Sequence, residues 1–214
     1  MFVMRAACFN DASRLAGVRY LKEDQVNFRL SDYSPDVVRL LEREGGGTRP
    51  MALAPKNCVS SLEARTELKT WKPRELFPGS RCPEGAMAGL YLYFSCTEEA
   101  HAIAQELKTV EGSFWHGIVH RQEPDAFNAG YWFGRVKNHA VFPALRDEAQ
   151  ALGYDAGARW DPLQFIDCCE EARVRPGSAE EQLAMRVQLV EWQLLFGYCS
   201  FSNDLGCEIR EKKR

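Results

Sequence analysis

Helix-starting signals recur at short intervals from Ser34 onward, and no other feature constrains the chain as much. Ser34-Pro35 sets a capping hydroxyl before a proline at the first helical position, and Gly45 stops the helix after Val37, Val38, Leu40 and Leu41. Ser60-Ser61-Leu62-Glu63 and Ser95-Cys96-Thr97-Glu98 read as capping boxes, with a hydroxyl and a carboxylate three residues apart satisfying early main-chain donors. Between them, Pro83 starts an apolar helix through Leu90, Tyr91 and Phe94. Ser113 can cap a short helix of about ten residues. Pro124 and Pro143 cannot continue a helix, so each begins a new one, over 125–137 and up to Gly153. Trp160-Asp161-Pro162 opens a helix to about Arg173, and Ser178 caps a last long one whose Leu183, Val187, Val190 and Leu194 form an apolar stripe out to Gly197. The prediction is an all-α array of about seven to nine short helices joined by short turns, with little or no strand.

Three segments follow from this pattern. Residues 1–33 read as an irregular N-terminal arm, with a weak hairpin around Val26, Phe28 and Leu30 as the other option. Residues 34–198 form a single helical domain, and 199–214 a C-terminal tail. Gly45-Gly46-Gly47 has no preceding strand and no following Lys-Ser/Thr, so it reads as a turn and not as a phosphate cradle.

Composition narrows the functional classes. A formal net charge of −3 over 214 residues gives no general attraction to nucleic acid, and the basic tail Arg210-Glu211-Lys212-Lys213-Arg214 reads as a solvated end. No apolar run approaches the ~20 residues needed to span a bilayer. The expectation is a cytoplasmic protein with no nucleic-acid or membrane partner. Eight cysteines stand at 8, 58, 82, 96, 168, 169, 199 and 207, with no CxxC pair, so neither a disulfide framework nor a zinc ribbon is predicted. Cys168-Cys169 lies within a predicted helix, which expects at least one buried thiol there.

Chemistry concentrates between Gly112 and His139, where three of the four histidines fall. His116 and His120 are four apart and project from one helix face, a metal-ligand spacing, and His139 is the third candidate ligand. A divalent ion such as zinc suits these donors. Position 117 is Gly, so the zinc-protease pattern H-E-x-x-H is absent. Glu123 and Asp125 are the candidate catalytic carboxylates, orienting or assisting a histidine in acid–base work. Arg121, Asn128, Trp132 and Arg135 are the candidate small-ligand contacts; the last three share a helix face, and the two guanidiniums suit an anionic ligand. A structural role for the same residues competes with this: Arg121 with Glu123 or Asp125 would clamp the turn at Pro124, and the aromatics would be core. His101, among alanines, reads as a half-buried structural histidine.

Tyr91-Leu92-Tyr93-Phe94, Ala100-His101-Ala102-Ile103-Ala104-Gln105, Trp115-His116-Gly117-Ile118-Val119-His120-Arg121, Glu123-Pro124-Asp125, Asn128-Ala129, Tyr131-Trp132-Phe133, His139 and Trp160-Asp161-Pro162 carry a resemblance. Over residues 83 to about 170 the chain resembles an uncharacterised family of bacterial and fungal hypothetical proteins. That resemblance implies membership and no activity. The functional expectation is therefore a metal- or small-ligand-binding His/Glu/Asp pocket with hydrolytic chemistry, and the alternative is a non-catalytic helical scaffold that binds another protein.

Overall fold

Proline and hydroxyl caps set most of the helix starts in the computed structural model, which describes residues 28–55 and 58–202. Ten α-helices occur among these residues, nine of them with seven or more residues, and no strand does. They are α1 Pro35–Glu42, α2 Leu62–Leu68, α3 Pro73–Leu76, α4 Pro83–Tyr93 and α5 Thr97–Glu106, then α6 Val110–Gln122, α7 Ala126–Val136, α8 Phe142–Ala151, α9 Pro162–Arg173 and α10 Ala179–Ser200. The all-α class stands, and the helix count exceeds the expected range only through the single turn α3. Ser34, Ser61, Asp161 and Ser178 accept main-chain N–H bonds at the starts of α1, α2, α9 and α10. The three glycines at 45–47 all have positive φ, as a left-handed turn requires.

Four boundaries differ from the sequence reading, each for a local reason. Ser95 does not open α5. Its φ of 56° makes it the left-handed residue closing α4, where Ser95 N–H donates to Leu92 O and Cys96 N–H to Tyr91 O. The helix carrying His116 begins at Val110, because Thr109 Oγ1 accepts from Gly112 N–H at 3.1 Å while Ser113 Oγ donates back to Thr109 O. Gly197 does not end α10, which continues to Ser200, so Cys199 and Ser200 belong to a helix and not to a tail. Leu30–Asp32 forms a 3-10 turn, and Phe28 and Tyr33 pack on Trp192 and Phe196 with ring centroids 5.7 and 5.0 Å apart. Phe28 and Leu30 form no strand, while the rest of the hairpin option and the outer tail lie outside the described residues.

Two helices are buried nearly all round and act as the axis of the body. On α4 every residue from Gly85 to Tyr93 is buried, as its continuous apolar run dictates. On α6 every residue from Gly112 to Gln122 is buried, although Ser113, His116, His120, Arg121 and Gln122 are polar. The helix α6 packs most extensively on α7, α5 and α4, while α10 packs on α4, α8 and α9. Trp192 on α10 donates from Nε1 to Gly89 O of α4 at 2.7 Å, so the indole N–H is satisfied inside the core.

Gly117 now has a packing explanation. A Cβ there would lie 2.8 Å from the Phe133 ring of α7, so this residue sets how closely α6 and α7 approach. Gly117→Ala is expected to cost about 1–3 kcal/mol of unfolding free energy through overpacking. Urea denaturation followed by circular dichroism measures it, and an unchanged midpoint would contradict the close fit.

Candidate functional site: a three-histidine cluster

Because α6 is central, its polar residues must find partners inside the protein or remain unsatisfied. His116 and His120 lie one turn apart with stacked rings, centroids 4.8 Å apart. The third ring is His101 from α5, whose centroid is 4.6 Å from that of His116 and 5.0 Å from that of His120. One ligand-capable nitrogen from each of the three lies within 4.8 Å of the others. His116 is 2% and His120 9% exposed, whereas His101 is half-buried, so solvent reaches the cluster beside His101.

The surroundings favour neutral imidazoles. Burial, reinforced by the neighbouring His101 and His120, lowers the His116 pKa to about 4. Burial also lowers that of His120, opposed by the carboxylate of Glu123. Neutral rings are the form that ligates a metal. Nδ1 of His116 is buried and has no hydrogen-bond partner. Nδ1 of His120 lies 3.2 Å from Glu123 Oε2, within ion-pair distance but without hydrogen-bond alignment. On the α7 side, the Trp132 ring stacks on His116 at 3.9 Å, and the Arg135 guanidinium lies 5.4 Å from the Trp132 ring centroid.

The remaining sequence candidates go elsewhere. His139 packs on Phe114 and Tyr198, with centroids 5.2 and 4.7 Å away. Its Nδ1 accepts from Val141 N–H at 3.3 Å, and its Nε2 faces Glu111 at 3.9 Å. Phe114 precedes His116 by two residues on α6, roughly 200° around the helix, so His139 sits on the other side of α6 from the cluster. Asp125 caps α7, accepting from Asn128 N–H at 3.1 Å and Asn128 Nδ2 at 2.6 Å. Those bonds occupy both Asp125 and Asn128 and hold the Asp125 carboxyl below its usual pKa range. Arg121 is buried against Glu191 and Gln188 of α10, with Nη1 3.3 Å from Glu191 Oε1 and a second bond from Nη2 to Oε2. Its carboxylate partner is on α10 and not at the Pro124 turn. Glu123, Trp132 and, through Trp132, Arg135 are the expected residues that do border the cluster.

His101 is the residue that sequence reasoning set aside. The available signal was the small pair Ala100 and Ala104, both buried, which brings α5 close to the body and carries the adjacent ring with it. Cys168 and Cys169 are both buried, and burial raises the Cys169 thiol to about 12, which removes it as a nucleophile. No helix among the described residues is long and apolar enough to cross a membrane.

Glu111 gives a pH prediction for the opposite side of α6. The facing His139 holds its carboxyl down to about 2, although 3.9 Å is an ion-pair distance and too long for a hydrogen bond. A depressed carboxylate pKa stabilises the fold above the unfolded value, and that contribution disappears as pH falls from 4.5 towards 2. Relative to Glu111→Gln, the natural chain should be more stable by about 1–2 kcal/mol at pH 7, discounted for partial exposure, with the gap closing across that window. Parallel denaturation curves at pH 7 and pH 3 check it, and a gap that stays constant with pH would contradict it.

Comparisons of the chain with protein-family models, with curated proteins and with solved structures return no match.

Proposed function

We propose that His101, His116 and His120 bind one divalent transition-metal ion, with zinc the best suited, and that the bound ion supports hydrolytic chemistry. The observation that carries this is the convergence of three imidazoles from two helices, at least two of them buried and held neutral. A tetrahedral zinc shell sets ligating nitrogens about 3.3 Å apart. Nitrogens already within 4.8 Å reach that spacing by modest ring rotation. Three protein nitrogens leave a fourth position for water, whose pKa a zinc ion lowers to about 7. Glu123 acts as a positioning residue. Its carboxylate, 3.2 Å from Nδ1 of His120, would accept that N–H after a small side-chain rotation and so leave Nε2 for the ion, the carboxylate–histidine–metal arrangement.

The shallow depression lined by Arg43, Leu62, Glu63 and Glu67 contains no histidine and is separate from this chemistry. A ligand at the cluster would approach beside His101, with Arg135 available to an anionic group. Elemental analysis of untagged protein purified without chelator tests the proposal. About one equivalent of a divalent metal per chain is expected, or uptake of one equivalent of zinc on dialysis. Hydrolysis is tested separately with an activated ester, whose turnover should follow metal content.

The scaffold reading is favoured by one observation. Arg121, Asp125, Asn128 and His139 are all occupied by structural partners, and Phe127 and Tyr131 are exposed one turn apart on α7. A chain that neither contains nor takes up metal would leave this as the better account.

A further inference from the structure

Two thiols, distant in sequence, meet where α4 begins and α10 ends. Cys82 is the N-cap residue of α4, and Cys199 lies in the last turn of α10. Cys82 N–H donates to Cys199 O at 3.1 Å, which limits the Cα separation to less than about 7 Å. That limit meets the upper end of disulfide geometry. Both side chains turn into the same space. A Cβ on Gly85 would lie 2.8 Å from Cys82 Sγ and 3.1 Å from Cys199 Sγ, and the absence of that Cβ is what leaves room for two sulphurs. The indole Nε1 of Trp115 lies 3.4 Å from the same point, fully buried, with its N–H facing the Cys199 sulphur. A donor-only group in that position matches a pair of polarisable sulphurs, and none of this belongs to the histidine cluster.

We infer that Cys82 and Cys199 form an oxidisable dithiol that a small peroxide converts to a disulfide joining α4 to α10. The two sulphurs are unequal, which assigns the order of events. The Cys199 thiol holds Cys82 below its usual pKa range, whereas burial pushes Cys199 well above it. Cys82 is also the less enclosed, at 5% exposure against 0%. The Cys82 thiolate therefore attacks a peroxide oxygen. The O–O bond breaks, hydroxide or alkoxide leaves and takes up a proton, and Cys82 becomes a sulfenic acid. The Cys199 sulphur then attacks the Cys82 sulphur as its proton passes to the adjacent sulfenic oxygen, a transfer within the pair that needs no free Cys199 thiolate. The S–O bond breaks, and the oxygen leaves as water. With hydrogen peroxide, the two thiols lose two electrons and the peroxide becomes two waters.

The experiment uses the full chain with Cys8, Cys58 and Cys207 changed to serine, so that five thiols remain. The folded, reduced protein is treated with one equivalent of hydrogen peroxide, denatured with an alkylating agent and mapped by peptide mass spectrometry. The expected result is a fall from five alkylated thiols to three and one linked pair of peptides containing Cys82 and Cys199, both reversed by reductant. Cys199→Ser should instead leave Cys82 as a sulfenic acid that a 1,3-dione traps, and Cys82→Ser should leave Cys199 unmodified. Circular dichroism confirms that each variant is folded; a misfolded variant is replaced by the corresponding alanine. Five alkylated thiols after treatment, a linkage between other cysteines, or a Cys82 adduct that persists beside an unmodified Cys199 would each overturn the inference.

Discussion

Glu191→Gln is expected to lower the unfolding free energy by about 3–5 kcal/mol. The Arg121 and Glu191 side chains are both 0% exposed, and the guanidinium grips the carboxylate through both terminal nitrogens. Removing the negative charge leaves a buried cation whose other neighbours cannot neutralise it. The Phe165 and Phe133 rings lie 4.6 and 5.8 Å from the guanidinium carbon, and Gln188 offers only an amide oxygen at 3.4 Å. Gln188 is itself committed, donating to the main-chain oxygens of Met51 and Ala52 at 3.1 Å each. The network therefore ties α6 to α10 and to the segment after α1. The paired replacement Arg121→Met with Glu191→Leu should recover most of the loss, because the cost lies in stranding a charge and not in losing attraction. Urea denaturation of the natural chain and the two variants tests this, and equal destabilisation by the single and paired changes would contradict it.

His101→Ala is expected to reduce bound metal from near one equivalent to below about a tenth, with helical content unchanged. Two ligands from one helix remain in that variant, but the histidine that crosses from α5 is gone. His116→Ala removes the same ligand function and also the stack on Trp132, so it should cost stability as well. This difference separates the two changes. His101 is half-buried and, among the described residues, its aromatic-ring contacts are with the other two histidines, so its loss reports on the cluster more cleanly. His139→Ala should leave metal content unchanged, because that ring is held on the other side of α6 by Val141 and Glu111. Elemental analysis of the three purified variants reads all of these outcomes together.

Local signals made the fold legible because caps and prolines act over three or four residues. Ser34, Ser61, Asp161 and Ser178 sit at helix starts where their side chains satisfy main-chain donors. Where two local motifs competed for one residue, tertiary context decided. Ser95 could serve the start of α5 or the end of α4, and it serves the end of α4. The site was only half legible, for a related reason. Spacing on a single helix placed His116 and His120 on one face, but it contains no information about which neighbouring helix faces them. His101 arrives through helix packing, and His139 leaves through the turn after α7. Likewise the partner of Arg121, 70 residues away, has no local trace. The Cys82–Cys199 meeting depends on where two helix ends cross and is equally silent in the spacing of cysteines.

Cobalt(II) titration of the metal-free full chain tests the three-histidine centre most directly, because visible d–d absorption reports both stoichiometry and coordination geometry. The account predicts saturation at one ion per chain with the band intensity of a four- or five-coordinate nitrogen site, and loss of that signal in His101→Ala. Absence of saturable binding, or a signal that persists unchanged in His101→Ala, would contradict it.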